Sequence, residues 1–268
     1  MFQQFNISRS GFGMYQKMMF NVTNNISNAN TPAFKQTRVE LATLFPQILE
    51  KEAVKFAGDD EYNPYVKKQK GNEFGPGIRM ESISTDFSEG NLQVTNNELD
   101  LSINGNGFFQ FRKPNGEIVY SRAGNLRKDI DGNITSQSGY LLDPPIRVPD
   151  SATQISIDSE GRVFANTPHK TELQEIGQIL LAQFTKPDEL KNVGNNFYAE
   201  TAGSGAPTTT VPSRNKAGKV VQFSLESSNV DIIKEMMEMI MARRGLEALG
   251  KAMSSGKDML EKGLTIVS

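Results

Sequence analysis

The chain has 268 residues, enough for one large domain or two modest ones. Its 29 Lys+Arg against 31 Asp+Glu leave a formal net charge of -2, which argues against an electrostatic nucleic-acid binder. With no Cys and one His it has no disulfide framework, no thiol nucleophile and no multi-histidine zinc site.

The opening residues lack the basic start and continuous apolar core of a cleaved secretory signal. No stretch reaches the roughly 18 apolar residues of a bilayer span, so no membrane insertion is expected. Met1, Phe5, Ser8, Phe12, Tyr15, Met19, Val22 and Ile26 recur in steps of four and three, which predicts a long amphipathic helix. Asn30-Thr31-Pro32 ends it. Residues 51–70 mix five Lys with Glu52, Asp59, Asp60 and Glu61 around Gly58 and Pro64, and read as a loose segment. Lys67-Lys68-Gln69-Lys70 lies near Tyr62, Tyr65 and Phe74, but no nucleic-acid-binding module surrounds it.

From about residue 75 to residue 222 the period changes to two. Leu99-Asp100-Leu101-Ser102-Ile103 alternates, Asn104-Gly105-Asn106-Gly107 predicts a hairpin turn, and Phe108 to Phe111 continues as a strand. Turns follow at Pro114-Asn115-Gly116, Asp131-Gly132-Asn133 and Glu160-Gly161, and residues 178–184 read as one apolar strand. Residues 202–219 read as a Gly/Pro/Thr/Ser connection. Such a chain builds an antiparallel barrel or sandwich.

At the C-terminus Ser227, Ser228 or Asn229 is expected to cap a helix of about 35 residues with Asp231 in its first turn. Val230, Ile233, Met237 and Ile240 form one seam; Met239, Ala242, Leu246, Leu249, Met253 and Leu260 form a second, with Gly256 at one of its positions. Gly245, Gly250, Gly256 and Gly263 weaken the helix but allow close approach of another. Ten of the 11 Met lie in the two ends, whose seams imply that the termini pair with each other, with copies in other subunits, or both.

Reactive chemistry is hard to place. The Gly-rich stretch 102–107 runs into a strand, so no helix N-terminus backs a phosphate. Asp129-Ile130-Asp131-Gly132-Asn133 has its Gly fourth and Tyr140 at the twelfth position, which breaks the calcium-loop pattern. His169 falls on a polar loop, and the pairs Asp59-Asp60 and Glu172, Glu175 lie in wet segments that do not raise a carboxyl pKa. No catalytic residue, cofactor or metal site is expected.

The stretch from Ser10 to Glu40, with Asn24-Asn25-Ile26-Ser27-Asn28-Ala29-Asn30-Thr31 and Phe34-Lys35, resembles the arm motif of the bacterial flagellar basal-body rod and hook proteins. So do Gly90-Asn91-Leu92, Asn96-Asn97, Leu99-Asp100, Gly105 to Phe109, Tyr120-Ser121-Arg122-Ala123-Gly124-Asn125-Leu126, Gly139-Tyr140 and Pro144-Pro145. Leu225-Glu226-Ser227-Ser228-Asn229-Val230 and the Met-rich helix complete the match. Two positions depart from the family pattern. Ala33 replaces a usual Gly, implying that the turn needs no glycine conformation, and Arg243-Arg244-Gly245-Leu246-Glu247 stands where relatives carry Gln-Arg-Ala-Tyr-Glu.

The resemblance implies an α+β fold: a helical arm from paired N- and C-terminal helices, and a β-rich antiparallel outer domain. It divides the chain into residues 1–45 with 226–268 as helical assembly domain, 46–74 as an extended rod-specific segment and 75–225 as outer domain. It implies a structural subunit, not an enzyme, that polymerises helically with itself into a hollow shaft. Its implied partners are neighbouring rod and hook subunits, surrounding ring proteins and the export machinery; its implied place is the basal-body rod, reached without a cleaved signal. Phe5, Phe12, Tyr15, Met19, Val22 and Ile26, with Val230, Ile233, Met237, Ile240, Leu246, Leu249, Met253 and Leu260, are the expected assembly interface. Length and the segment 46–74 are closest to distal-rod members, with a proximal-rod paralogue as the alternative. A surface adhesion module with coiled-coil ends is a more distant reading.

Overall fold

Two long helices bracket a run of short strands. The computed structural model describes residues 2–43, 47–48, 73–74, 78–167 and 174–267. The chain divides into two units, one of residues 1–22, 39–83 and 237–268, the other of residues 23–38 and 84–236.

In the first unit, residues of α1 (Phe2–Ser27) pack on residues of α2 (Ile232–Val267). Glycine makes the contact possible. A Cβ added to Gly245 would collide with Tyr15 Cζ, and one on Gly11 would lie 3.1 Å from Leu249 Cδ1. Met14, Val22 and Ala242 are buried alongside. The strand Thr37–Thr43 pairs with Ile78–Thr85, and Gln47–Ile48 pairs antiparallel with Glu73–Phe74. The rest of the 46–74 segment lies outside the described residues, as do His169 and Glu172.

Both helix ends have local causes. α1 stops at Ser27, three residues before the expected Asn30, where the Asn28 N–H still reaches Asn24 O and Thr31 N–H reaches Asn28 O. At the start of α2 the cap is Asp231, not Ser227, Ser228 or Asn229: its Oδ1 accepts from the N–H groups of Ile233 and Lys234. The last two candidates are otherwise engaged, Ser228 with the Val230 N–H and Asn229 with residues 36, 86 and 88.

The second unit is antiparallel. Its main sheet has nine strands, built on Phe108–Arg112, which pairs with Ile118–Ser121, Leu141–Leu142 and Leu181–Gln183. Both faces of that central strand are covered. Phe109 and Phe111 point into a core with Leu101, Ile103, Val119, Ile134, Leu142 and Ile146, while Phe108 joins Tyr120, Tyr198 and Phe184 on the other side. Rings there meet edge to face, as for Phe108 and Phe184 at 5.7 Å. A three-stranded sheet (Gln154–Ile157, Arg162–Asn166, Gln174–Gln178) and two-stranded pairs complete the unit. No sheet among the described residues closes into a barrel.

Three strand expectations change. Asn104-Gly105-Asn106-Gly107 is not a hairpin turn: Leu101–Asn104 pairs with Lys219–Gln222, and Phe108–Arg112 pairs elsewhere, so these glycines turn a corner between sheets. Residues 178–184 are the end of one strand and the whole of another, broken between Gln178 and Leu181 because Ile179 N–H bonds to Gly161 O. The 202–219 connection contains a paired strand, Thr208–Thr210, and a buried Ser204. The turns at residues 131–133 and 160–161 are hairpins, with Gly132 at φ 82° and Gly161 at φ 76°.

Gly245→Ala forces the Tyr15 ring out of its seat and costs about 1–3 kcal/mol, as overpacking does. Gly250→Ala meets nothing within 4 Å and stabilises the same helix by about 1 kcal/mol. Urea unfolding followed by far-UV circular dichroism measures both, and the opposite signs are the expected outcome.

Candidate assembly interface

Three charged side chains with almost no solvent exposure meet in the second unit. Glu226, at the end of the strand Ser224–Glu226, accepts from Lys35 Nζ at 2.6 Å through one oxygen and from Arg122 Nε at 3.0 Å through the other. The Gly90 N–H donates to the first oxygen as well, and Lys35 also donates to Ser88 O. Arg122 places its remaining N–H groups on the carbonyls of Gly105, Gly107 and Ile103. The corner glycines at 105 and 107 therefore serve a guanidinium instead of a phosphate. Every charge in the cluster is paired and hydrogen-bonded, the condition under which buried ions are tolerated.

One carboxylate serves two cations, and the titration behaviour follows. Burial alone pushes the Glu226 carboxyl up, but Arg122, Lys35 and the Gly90 N–H outweigh it and hold it below the ordinary glutamate range. The Lys35 ammonium is pulled below its ordinary range, chiefly by burial and further by the Arg122 charge, against the pull of Glu226.

The same glutamate holds the chain leaving the Asn-rich turn. Its carbonyl accepts from Ala33 N–H at 2.7 Å. Ala33 follows Pro32 in a turn closed by Phe34 N–H on Thr31 O, and it adopts φ 56°. The expectation that this position needs no glycine conformation is overturned. Pro at the second place and a left-handed third residue define a turn that favours Gly, and Ala33 bears the steric cost. Nearby, the buried Asn25 amide clasps Thr37 at both ends, donating to its O at 2.9 Å and accepting from its N at 3.1 Å. Asn229 accepts from Gln36 N–H and donates to Asp86 O, while the Gln36 amide donates to the buried Glu235.

The expected interface residues separate into two sets. On α1, Val22 is buried, Tyr15, Met19 and Ile26 are half-buried, and Phe12 is 42% exposed; the side chain of Phe5 lies outside the described residues. The buried face runs instead through Gly11, Met14 and Asn25. On α2, Leu246, Leu249 and Met253 are half-buried beside Ala242, whereas Ile233 is 72%, Met237 54% and Ile240 53% exposed. Val230 is half-buried, and the side chain of Leu260 is not among those described. Met236 and Met241 widen the exposed stripe, so Ile233, Met236, Met237, Ile240 and Met241 repeat at helical spacing along one line of α2. Sequence reasoning passed over Lys35, Arg122 and Glu226 as individual residues, although all three lie inside the blocks that carry the family resemblance. An isolated Lys, Arg and Glu far apart in sequence give no pattern until the fold brings them together.

No group of three or more potential metal ligands occurs among the described residues. No described helix is long and apolar enough to cross a membrane. Ions spent on holding chain segments together, and an apolar helix line left in water, define a structural assembly protein. A family model described as the flagellar hook protein FlgE/F/G D1 domain matches residues 102–165, and one described as the flagellar basal body rod FlgEFG protein C-terminal matches residues 221–266. The chain is 34% identical to the flagellar basal-body rod protein FlgG of Caulobacter vibrioides over 97% of both chains. It is 31% identical to that of Buchnera aphidicola over 96% of both, and 33% identical to that of Agrobacterium fabrum over 94% of this chain and 95% of the relative. The chain belongs to the family of flagellar basal-body rod proteins.

A carboxyl held below its unfolded value stabilises the fold fully above about pH 4.3, and that stability is lost as pH falls through the folded value. Glu226→Gln should therefore cost about 3–5 kcal/mol at neutral pH, by leaving two buried cations without a counter-charge, and should flatten the acid limb of stability against pH. Ala33→Gly should gain about 0.5–1 kcal/mol, because relief of the left-handed strain exceeds the added unfolded-state entropy. Denaturant titrations from pH 3 to 7 read both.

Proposed function

We propose that this chain is a subunit of the distal rod of the bacterial flagellar basal body, polymerising helically into a hollow shaft that transmits torque. The observation that carries the reading is end-to-end similarity to rod proteins named FlgG, covering 94–97% of this chain in the three relatives compared. The proximal-rod alternative draws no comparable support from those relatives. The partners proposed are further copies of the chain, neighbouring rod and hook subunits, the surrounding ring proteins and the export machinery. The proposed location is the rod across the periplasm, reached without a cleaved signal.

The physical route to a polymer is the divided α2 surface. A helical polymer needs a patch that meets a different patch on the next copy. The face of α2 containing Ala242 and Gly245 is used within the chain. The exposed line from Ile233 to Met241 is left for another copy, and its methionines adapt to neighbours that are not identical. Burial of that line supplies roughly 25 cal/mol per Å². Torque then passes through many parallel contacts of this kind, with no reactive group required.

Met237→Glu combined with Ile240→Glu tests the reading. Both side chains are more than half exposed, so the monomer should keep its melting temperature within about 2 °C. Polymer seen by electron microscopy and by sedimentation should vanish. Polymers of normal length from this variant would remove α2 from the interface.

A further inference from the structure

Four methionines of α2 are more than half exposed: Met236, Met237, Met241 and Met259. Every other Met side chain among the described residues is half-buried or buried, and Met14 on α1 is the most enclosed of them. Three of the four stand in the apolar line with Ile233 and Ile240, so thioethers make up three of its five side chains. Met237 and Met241 are four residues apart, and Met236 and Ile240 share that spacing, which sets them next to one another along the helix. Met259 stands well beyond the line, toward the end of α2. The chain has no Cys, so no thiol competes with these exposed sulfur atoms for an oxidant.

A thioether gives up two electrons to a peroxide. The sulfur lone pair attacks one peroxide oxygen, an S–O bond forms, the O–O bond breaks, and the second oxygen leaves as water with both peroxide protons. The product, methionine sulfoxide, is polar and chiral where the thioether was apolar and flexible. On the free chain the change costs little, because these side chains already face water. In an interface it costs much more. Each new sulfoxide oxygen is an acceptor, and covering it without a donor carries the desolvation cost of an unpaired polar group. Three such oxygens would fall on a line whose contribution to assembly is apolar burial. Access is one-sided as well: a free chain presents the line to the oxidant, and a neighbouring copy seated on it shields it. The change is also reversible, since the two epimer-specific sulfoxide reductases, driven by a dithiol, remove the oxygen as water and restore the thioether.

We infer that Met236, Met237 and Met241 form a reversible oxidation site, at which a peroxide-class oxidant converts the free subunit into a form that does not add to the polymer. This rests on the polymer reading above, since it regulates the same line of α2. The test treats the full chain with hydrogen peroxide. Peptide mass spectrometry should find one added oxygen on each of the three residues, and on Met259, before any on Met14. The oxidised chain should keep its melting temperature within about 2 °C. Its critical concentration for polymerisation should rise about tenfold or more, and the two reductases with a dithiol should bring it back. Preformed polymer should take up oxygen at the three positions about tenfold more slowly than the free chain. The triple variant Met236→Leu, Met237→Leu, Met241→Leu should polymerise in the presence of peroxide even though Met259 still oxidises. The matching triple substitution to Gln should show the raised critical concentration with no peroxide present. Polymerisation that is unchanged by the three sulfoxides, not restored by their repair, or still peroxide-sensitive in the leucine variant would overturn the site alone. If the leucine variant does not assemble, the oxidation and repair cycle on the unsubstituted chain decides. Absence of any polymer from the unmodified, unoxidised chain would overturn the rod reading and the site with it.

Discussion

The β-rich unit is organised around one carboxylate. Glu226 ties together three stretches of chain that are far apart in sequence: its carbonyl holds Ala33 and its side chain the nearby Lys35, and the same carboxylate holds Gly90 and Arg122. Removing three charges from water is costly, and an apolar cluster of equal volume would often be as stable. What the ions add is geometry. Apolar side chains slide over one another at little cost, whereas a carboxylate with two assigned cations and one assigned N–H has a single satisfactory arrangement. The arrangement also explains two glycines. Carbonyls at 105 and 107 can both face Arg122 because Gly105 and Gly107 adopt φ of 109° and 142°, which a side chain rarely permits.

The position of this clamp along the chain matters for a structural subunit. Lys35 comes shortly after α1, and Glu226 shortly before α2. Both residues therefore lie where the chain runs between helix and β strands. The amide contacts of Asn25 with Thr37 and of Asn229 with Gln36 and Asp86 hold the same passages with neutral hydrogen bonds. Asn25 and Gln36 are themselves buried, so breaking their contacts leaves a buried polar group unpaired.

Much of this was legible in the sequence and some was not, for reasons that differ by element. Periodicity located both helices because apolar spacing reports burial, and the second α2 seam is the one that packs. The α1 seam was drawn one residue to the side, through Phe12 instead of Gly11, because a pattern of bulky residues cannot register a contact made by the absence of a side chain. Turn signals placed the 131–133 and 160–161 hairpins but misread 104–107, where glycine serves a guanidinium and a change of sheet. Strand pairing between residues 101–104 and 219–222 is long-range, and nothing local encodes it. Ala33 shows the converse error: a residue that tolerates the left-handed region poorly occupies it because Pro32 on one side and the Glu226 carbonyl on the other leave the turn no alternative.

Gly245 has a physical partner in the structure. At position 245 the chain carries Gly, and the ring of Tyr15 fills the space that a Cβ there would occupy. The lack of a side chain at 245 lets an aromatic ring from α1 lie against the α2 backbone. Glycine weakens the helix it sits in by about 1 kcal/mol, and the ring's contact with the exposed backbone offsets that loss only while the two helices stay paired. Pairing of the arms is therefore built into the composition of α2 itself. A helix that depends on its neighbour at one face and leaves Ile233, Met237 and Ile240 uncovered at another is suited to a subunit whose interfaces are completed by assembly.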